Sequence, residues 1–225
     1  MDDLFRKILK LFDALGLWEN GVELVGSWSF LLYQRHLGVR PLPLRTQDVD
    51  FLLPWPYSNK RNVDMKSALE PLGFRIAIAA NGTTSFTHPE LKLEFLVPEH
   101  GKGGMDYREI KPLGVKAIPL RFMDMLLKNS IMLKEGGVKV RVPLPLNYCL
   151  HKLMIAQRRI KADKKEKDIM QAVYVLSILK PAEFSAALAD FSPKWRRLVE
   201  TSLKFAWENF PLERPLLKRF MEEPD

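Results

Sequence analysis

The stretch Thr46-Gln47-Asp48-Val49-Asp50-Phe51 decides the fold. Apolar and acidic residues alternate along it, which is the pattern of a β-strand. Successive side chains of a strand point to opposite faces, so Asp48 and Asp50 share one face. Two carboxylates side by side on an otherwise apolar strand repel each other and resist burial. Because a divalent cation removes that conflict, the pair predicts a metal site.

A third carboxyl group lies on a second apolar strand, predicted over residues 91–97. Its alternation places Glu94 with Lys92 on the face opposite the apolar side chains. If the two strands are neighbours, three carboxylates converge. Magnesium prefers carboxylate oxygens together with water and phosphate oxygens, and two such ions can clamp a phosphoryl displacement. We therefore expect Mg²⁺ or Mn²⁺ as the cofactor, held by Asp48, Asp50 and Glu94.

A glycine and a serine upstream supply a candidate phosphate site. The short apolar run over residues 22–25 ends at Gly26-Ser27, and a helical pattern follows over residues 28–37. Glycine allows a phosphate to approach the backbone closely. The amide groups at the start of the helix, with the Ser27 hydroxyl, are suited to hold a triphosphate. We predict nucleotide binding by Gly26 and Ser27, assisted by Ser29.

The pattern of elements changes near residue 144. Before it, we predict strands over 48–53, 74–80 and 91–97, a hairpin over 131–142, and helices over 3–16, 63–72 and 121–129. The strands over 74–80 and 91–97 are expected to pair. Extended or mobile loops are predicted over 39–44 and 101–104. After it, we predict helices over 146–160, 165–179, 181–190, 193–208 and 212–221.

These patterns predict an α+β fold with two domains. A mixed β-sheet flanked by helices occupies residues 1–143, and an all-helical domain occupies residues 144–225.

The composition excludes several classes of protein. The single cysteine, Cys149, rules out an internal disulfide and a cysteine-rich zinc site. The acidic start, Met1-Asp2-Asp3, lacks the basic region of a signal peptide. No apolar run approaches the roughly 20 residues that span a bilayer. We therefore expect a cytoplasmic protein without a membrane partner.

The spacing of these motifs resembles a known superfamily. Gly26-Ser27, an Asp-x-Asp strand and a third acid on a later strand are similar to the signature of the DNA-polymerase-β-like nucleotidyltransferases. More narrowly, residues 25–51 resemble uncharacterised bacterial nucleotidyltransferase-fold proteins. Lys152, Arg158 and Lys167-Asp168 are similar to a helical run in those proteins and in the AbiEii-type toxins.

The resemblance implies a metal-dependent transfer of a nucleoside monophosphate from a nucleoside triphosphate to an acceptor hydroxyl, with release of pyrophosphate. It implies that Asp48 and Asp50 bind both ions, and that Glu94 binds one and helps to deprotonate the acceptor. Lys152 would contact phosphate as a point charge. The acceptor stays open among a small molecule, RNA and a protein.

Two other functions remain open from the sequence. One is a catalytically inactive, nucleotide-binding regulatory module. The other is a toxin-like protein that modifies RNA or tRNA. The segment 158–167 carries six basic side chains, and the net charge is +8. Such a segment is either a solvated helix–loop–helix surface or an RNA contact.

Overall fold

The computed structural model describes residues 2–43, 46–59, 62–101, 103–104 and 106–221. The predicted loops over 39–44 and 101–104 and the predicted helical domain therefore lie partly outside the described residues. The described residues form two compact units. One lies within residues 1–32 and 44–143, and the other within residues 33–43 and 144–225.

The first unit is built on a mixed β-sheet, as predicted. Its strands are β1 (Glu23–Val25), β2 (Asp48–Leu52), β3 (Arg75–Ile78), β4 (Thr84–Thr87), β5 (Lys92–Pro98), β6 (Arg108–Ile110) and β7 (Val115–Leu120). The main path runs β1-β2-β5-β4-β3, while β7 pairs with β5 and β6. Strand β5 is parallel to β2 and β7, and the other pairs are antiparallel. A separate hairpin joins β8 (Ile131–Glu135) to β9 (Val138–Val142). The short helix α3 (Met65–Leu69) and the 3-10 turn Glu70–Leu72 lie where a helix was predicted over residues 63–72.

The predicted pairing of the strands at 74–80 and 91–97 is wrong. Strand β4 lies between them and pairs with both β3 and β5. The turn containing Asn81-Gly82 joins β3 to β4. Strand β4 reads Thr-Ser-Phe-Thr, and this short, mostly polar sequence gives no apolar run that would mark it as a central strand.

The helix predicted over residues 121–129 is also wrong. The structure has only a single 3-10 turn there, Met123–Met125. Phe122 and Asn129, at the two ends of this segment, have positive φ angles of 68° and 55°. A right-handed helix needs a negative φ at every residue, so both positions interrupt it.

One face of the sheet is buried under helix α1 (Asp2–Ala14). The Phe12 ring lies 4.3 Å from that of Phe51 on β2 and 6.3 Å from that of Phe95 on β5, centroid to centroid. Helix α1 buries an apolar stripe with helical spacing, namely Leu4, Phe5, Ile8, Leu9 and Phe12. Since the odd-numbered residues of β2 and β5 point to α1, their acidic residues point away from it.

Residues 145–221, in the second unit, form helices, as predicted. The helices are α4 (Pro145–Ala156), α5 (Ala162–Leu176), α6 (Pro181–Ala189), α7 (Pro193–Asn209) and α8 (Arg214–Met221). Proline occupies the first turn of α4, α6 and α7, where its missing N–H costs no hydrogen bond. The Tyr148 hydroxyl on α4 donates to Gln171 on α5 across 3.0 Å. Among the described helices, none is both long and apolar enough to cross a membrane.

Candidate active site

Four charged side chains form one patch on the face of the sheet that points away from α1. In the parallel register of β2 and β5, Asp48 lies opposite Lys92, and Asp50 lies opposite Glu94. Asp48 is exposed, whereas Asp50, Lys92 and Glu94 are partly buried. We call Asp48, Asp50, Lys92 and Glu94 the acid face. The three carboxylates predicted to be metal ligands are thus carried by neighbouring strands.

The acid face is closed at one end by apolar side chains. The next residues on the same side of the two strands are Leu52 and Leu96, and both are buried. They pack in a cluster with Val25, Met123 and Leu126. The charged groups therefore stand beside a buried apolar cluster, which weakens the screening of their charges by water.

Helix α2 (Gly26–His36) begins directly beside Asp50. Val25 of β1 is the register partner of Asp50, and Gly26 follows it with a φ of 68°. A Cβ atom at Gly26 would overlap Oδ2 of Asp50 and lie 3.4 Å from its Cγ. The glycine is thus required both for the left-handed backbone and for the close approach of the carboxylate. This arrangement brings the start of α2 and the acid face together.

The two serines of the predicted phosphate site differ in their surroundings. Ser27 is partly buried in the first turn of α2. Ser29 is fully buried, and its hydroxyl donates to the carbonyl oxygen of Gly26 across 2.9 Å. Nucleotide binding by Ser27 and Ser29 stays a prediction, and the Ser29 hydroxyl already stabilises the turn at Gly26.

Lys92 supplies a cation to the acid face. Its ammonium group donates to Oε1 of Glu94 across 2.5 Å, and its side chain is 39% exposed. The hydrogen bond to Glu94, together with the negative charges of Glu94, Asp48 and Asp50, raises the pKa of Lys92 above its ordinary value. The sequence placed Lys92 on the same face as Glu94 but assigned it no role.

The acid face fits a hard divalent cation in the chemistry of its donor atoms. Carboxylate oxygens are the ligands that Mg²⁺ and Mn²⁺ take in proteins, and the ammonium group of Lys92 already stands among them. The three carboxylates do not close around a single point. Within the described part of the chain, no three carboxyl, imidazole or thiol groups are placed to hold one ion.

The family model described as "Nucleotidyltransferase" matches residues 4–207 of this chain. That match spans most of the 225 residues and both compact units. The chain belongs to this nucleotidyltransferase family.

Two solved structures resemble this chain at low sequence identity. An antigenic nucleotidyltransferase-like protein from Paracoccidioides brasiliensis is 14% identical, with a TM-score of 0.55 over 98% of this chain and 95% of that one. The antibiotic-resistance factor ANT(2'')-Ia is 12% identical, with a TM-score of 0.44 over 96% of this chain and 99% of that one. The first likeness supports the fold alone, and the second is too distant to support an argument. No curated protein matches the chain.

This nucleotidyltransferase-family chain carries a fourth carboxyl group on the same side of the sheet. Glu23 of β1 is the register partner of Leu52 and is only 1% exposed. Burial raises its pKa to about 7, although the hydroxyl of Ser130 donates to its Oε1. Glu23 is sealed from solvent, so we do not include it in the acid face.

Lys152, the last predicted nucleotide contact, belongs to the helical unit of the nucleotidyltransferase-family chain. Its side chain is 8% exposed, and its ammonium group lies 2.5 Å from Oδ1 of Asp168. Arg159 binds the other oxygen of Asp168 at 2.6 Å. Lys152 of α4 and Asp168 of α5 thus form a buried ion pair, and Arg159, in the connection between the two helices, binds Asp168 from a more exposed position. This arrangement agrees with a structural role for Asp168. Nucleotide binding by Lys152 stays a prediction.

Proposed function

We propose that the chain transfers a nucleoside monophosphate from a nucleoside triphosphate to an acceptor hydroxyl, with Asp48, Asp50 and Glu94 as ligands of Mg²⁺ or Mn²⁺. The observation that carries the proposal is the position of Asp50. It is the register partner of Glu94 on one side, and Gly26, at the start of α2, approaches it closely on the other. Asp50 therefore lies beside both a second proposed metal ligand and the helix start that we propose to bind phosphate.

The chain's own groups divide the work in this proposal. The amides at the start of α2 and the Ser27 hydroxyl hold the triphosphate, because a helix N-terminus carries partial positive charge. An acceptor oxygen attacks the α-phosphorus, the bond from that phosphorus to its bridging oxygen breaks, and pyrophosphate leaves. Glu94 takes the proton of the acceptor hydroxyl. Bound divalent ions supply neutralisation of the charge that develops on the phosphate oxygens.

A thermal melt with and without magnesium tests the site before the acceptor is known. A ligand at 100 times its Kd stabilises the native state by about 2.7 kcal/mol. In a chain of this size, that corresponds to a rise in Tm of roughly 5–10 °C. We expect this rise for wild type with at least one nucleoside triphosphate, and only with Mg²⁺ or Mn²⁺ present.

The matched variant is the double change Asp48→Asn/Asp50→Asn. It preserves the shape of both side chains, so the melt without ligand should stay close to that of wild type. The magnesium-dependent rise should disappear. A rise of equal size in the variant would mean that the acid face takes no part in nucleotide binding. No rise in well-folded wild type would favour a regulatory module or a different ligand.

The charge of the helical unit favours RNA as a second binding partner, which we also propose. Residues 158–167 hold six Lys and Arg residues against two Asp and Glu residues. Lys194 and Arg197 of α7, with Gln157 at the end of α4, line an open groove of about 510 Å³. The Lys165 ammonium lies 4.8 Å from the Phe205 ring of α7, so the start of α5 packs beside the same helix. Clustered cations beside a groove are suited to bind a phosphate backbone.

Salt-dependent RNA binding tests this second proposal. We expect Lys194→Gln/Arg197→Gln to weaken binding of a single-stranded RNA oligonucleotide, measured by fluorescence anisotropy at several salt concentrations. The slope of log K against log salt should become shallower by about 0.7 for each phosphate that the variant no longer neutralises. Lys134→Gln/Lys139→Gln changes the net charge equally, at exposed positions of the β8–β9 hairpin. Equal slopes for the two variants would mean that RNA binding depends on the net charge of the protein and not on the groove.

A further inference from the structure

Lys92 pairs with Glu94 and shares one face of the sheet with both aspartates of β2. On two parallel strands in register, the acid face forms two rows, Asp48 beside Lys92 and Asp50 beside Glu94. The ammonium group of Lys92 lies 2.5 Å from Oε1 of Glu94, and Lys92 is the register partner of Asp48. The acid face thus contains three carboxylates and one ammonium group, which is paired with Glu94.

These four groups together determine the net charge near which a metal ion would bind. Three carboxylates and one ammonium group leave the acid face with a net charge of −2. One divalent ion balances that charge, whereas a second ion would make the patch positive. A nucleoside triphosphate brings about four negative charges with it and removes that obstacle.

We propose that Lys92 is a resident counter-cation of the acid face, which holds Glu94 and limits the nucleotide-free protein to one divalent ion. This inference rests on the proposed metal-dependent function and assigns a positioning role to Lys92. The Lys92 side chain must release Glu94 before that carboxylate can take part in metal binding.

Removing the ammonium group should therefore strengthen metal binding. Two like charges about 4 Å apart repel each other even at the permittivity of water, and a divalent ion doubles this repulsion. Lys92→Met keeps the length of the side chain without the charge. We expect it to tighten Mn²⁺ binding by about tenfold or more. We also expect a second weak site in the absence of nucleotide.

The test is a titration of the full chain with Mn²⁺ alone, followed by the electron paramagnetic resonance signal of the free ion. Wild type should bind one ion, and Lys92→Met should bind it more tightly. Lys92→Arg retains the charge and should bind as wild type does. Lys134→Met removes a lysine from an exposed strand position outside the acid face and should also leave the affinity unchanged.

The outcomes separate this inference from the function on which it rests. If Asp50→Asn abolishes Mn²⁺ binding but Lys92→Met leaves it unchanged, the counter-cation role is overturned and the metal site stands. If neither wild type nor Lys92→Met binds Mn²⁺, the metal site and the role of Lys92 both fail. A melt of each variant without metal establishes that it is folded.

Discussion

Gly26→Ala is expected to abolish the magnesium-dependent rise in Tm with nucleoside triphosphates. A Cβ atom at this position would overlap Oδ2 of Asp50, so the carboxylate has to move away from the start of α2. The substitution changes no charge and removes no hydrogen-bonding group. Complete loss of ligand binding would remove the roughly 2.7 kcal/mol that a ligand at 100 times its Kd provides.

The left-handed backbone at Gly26 requires a separate control. Alanine in this conformation costs about 1–2 kcal/mol wherever it occurs. Gly137, in the turn of the β8–β9 hairpin, also has a positive φ of 92°, and a Cβ atom there meets nothing within 4 Å. Gly137→Ala should therefore lower the Tm without ligand by a similar amount and keep the full response to nucleotide.

Comparison of the two alanine variants isolates the contact with Asp50. A full nucleotide response in Gly26→Ala would mean that close approach of α2 to Asp50 is dispensable. The absence of a response in both variants would indicate a general loss of stability. The change Gly26→Ala/Asp50→Ala adds a further check, because it removes the overlap but also the carboxylate. It should regain part of the stability and show no nucleotide response.

The acid face could be predicted because it depends on a local rule. Alternation along a strand places Asp48 and Asp50 on one side, and the same rule places Lys92 with Glu94. The sequence did not establish that β2 and β5 are neighbours. The structure shows that they pair in parallel. The ion pair of Lys92 with Glu94 follows from the same alternation, because residues two apart on a strand share a face.

The remaining features depend on contacts between distant parts of the chain. Strand β4 lies between β3 and β5 and pairs with both. Its own sequence does not indicate that it is a central strand. The positive φ angles of Phe122 and Asn129 have no signal in a helical pattern of apolar residues. The sequence does not distinguish Lys152 from other helical lysines. Its ion pair with Asp168 depends on the packing of α4 against α5. Such features require the tertiary structure.

Asp168→Asn is expected to destabilise the protein by about 3–5 kcal/mol. The carboxylate is 5% exposed on its side chain, and it accepts from Lys152 at 2.5 Å and from Arg159 at 2.6 Å. Asparagine keeps the shape but leaves the ammonium group of Lys152 buried without a counter-charge. Its amide NH₂ group would also face either the ammonium group of Lys152 or the guanidinium group of Arg159, and both of these can only donate hydrogen bonds. The free energy of unfolding from urea titration measures the loss.

The exposed pair of Lys180 and Glu183, at 3.1 Å, is the matched control. Glu183→Gln should cost less than about 1 kcal/mol, because water screens an exposed pair. Lys152→Met should cost less than Asp168→Asn, since Asp168 keeps Arg159 as a partner. If Lys152→Met also abolished the nucleotide response while remaining stable, that would support the predicted phosphate contact.

The pH dependence of stability distinguishes the charge of Asp168 from its shape. Burial acts to raise the pKa of Asp168, but the charges of Lys152 and Arg159 and their hydrogen bonds outweigh it and lower the pKa. A carboxyl group with a lowered pKa stabilises the fold above its ordinary pKa of 3.8, and this contribution is lost as pH falls below that value. The difference between wild type and Asp168→Asn should therefore be full at pH 6 and shrink below about pH 4. A difference that stayed constant across this range would assign the effect to packing.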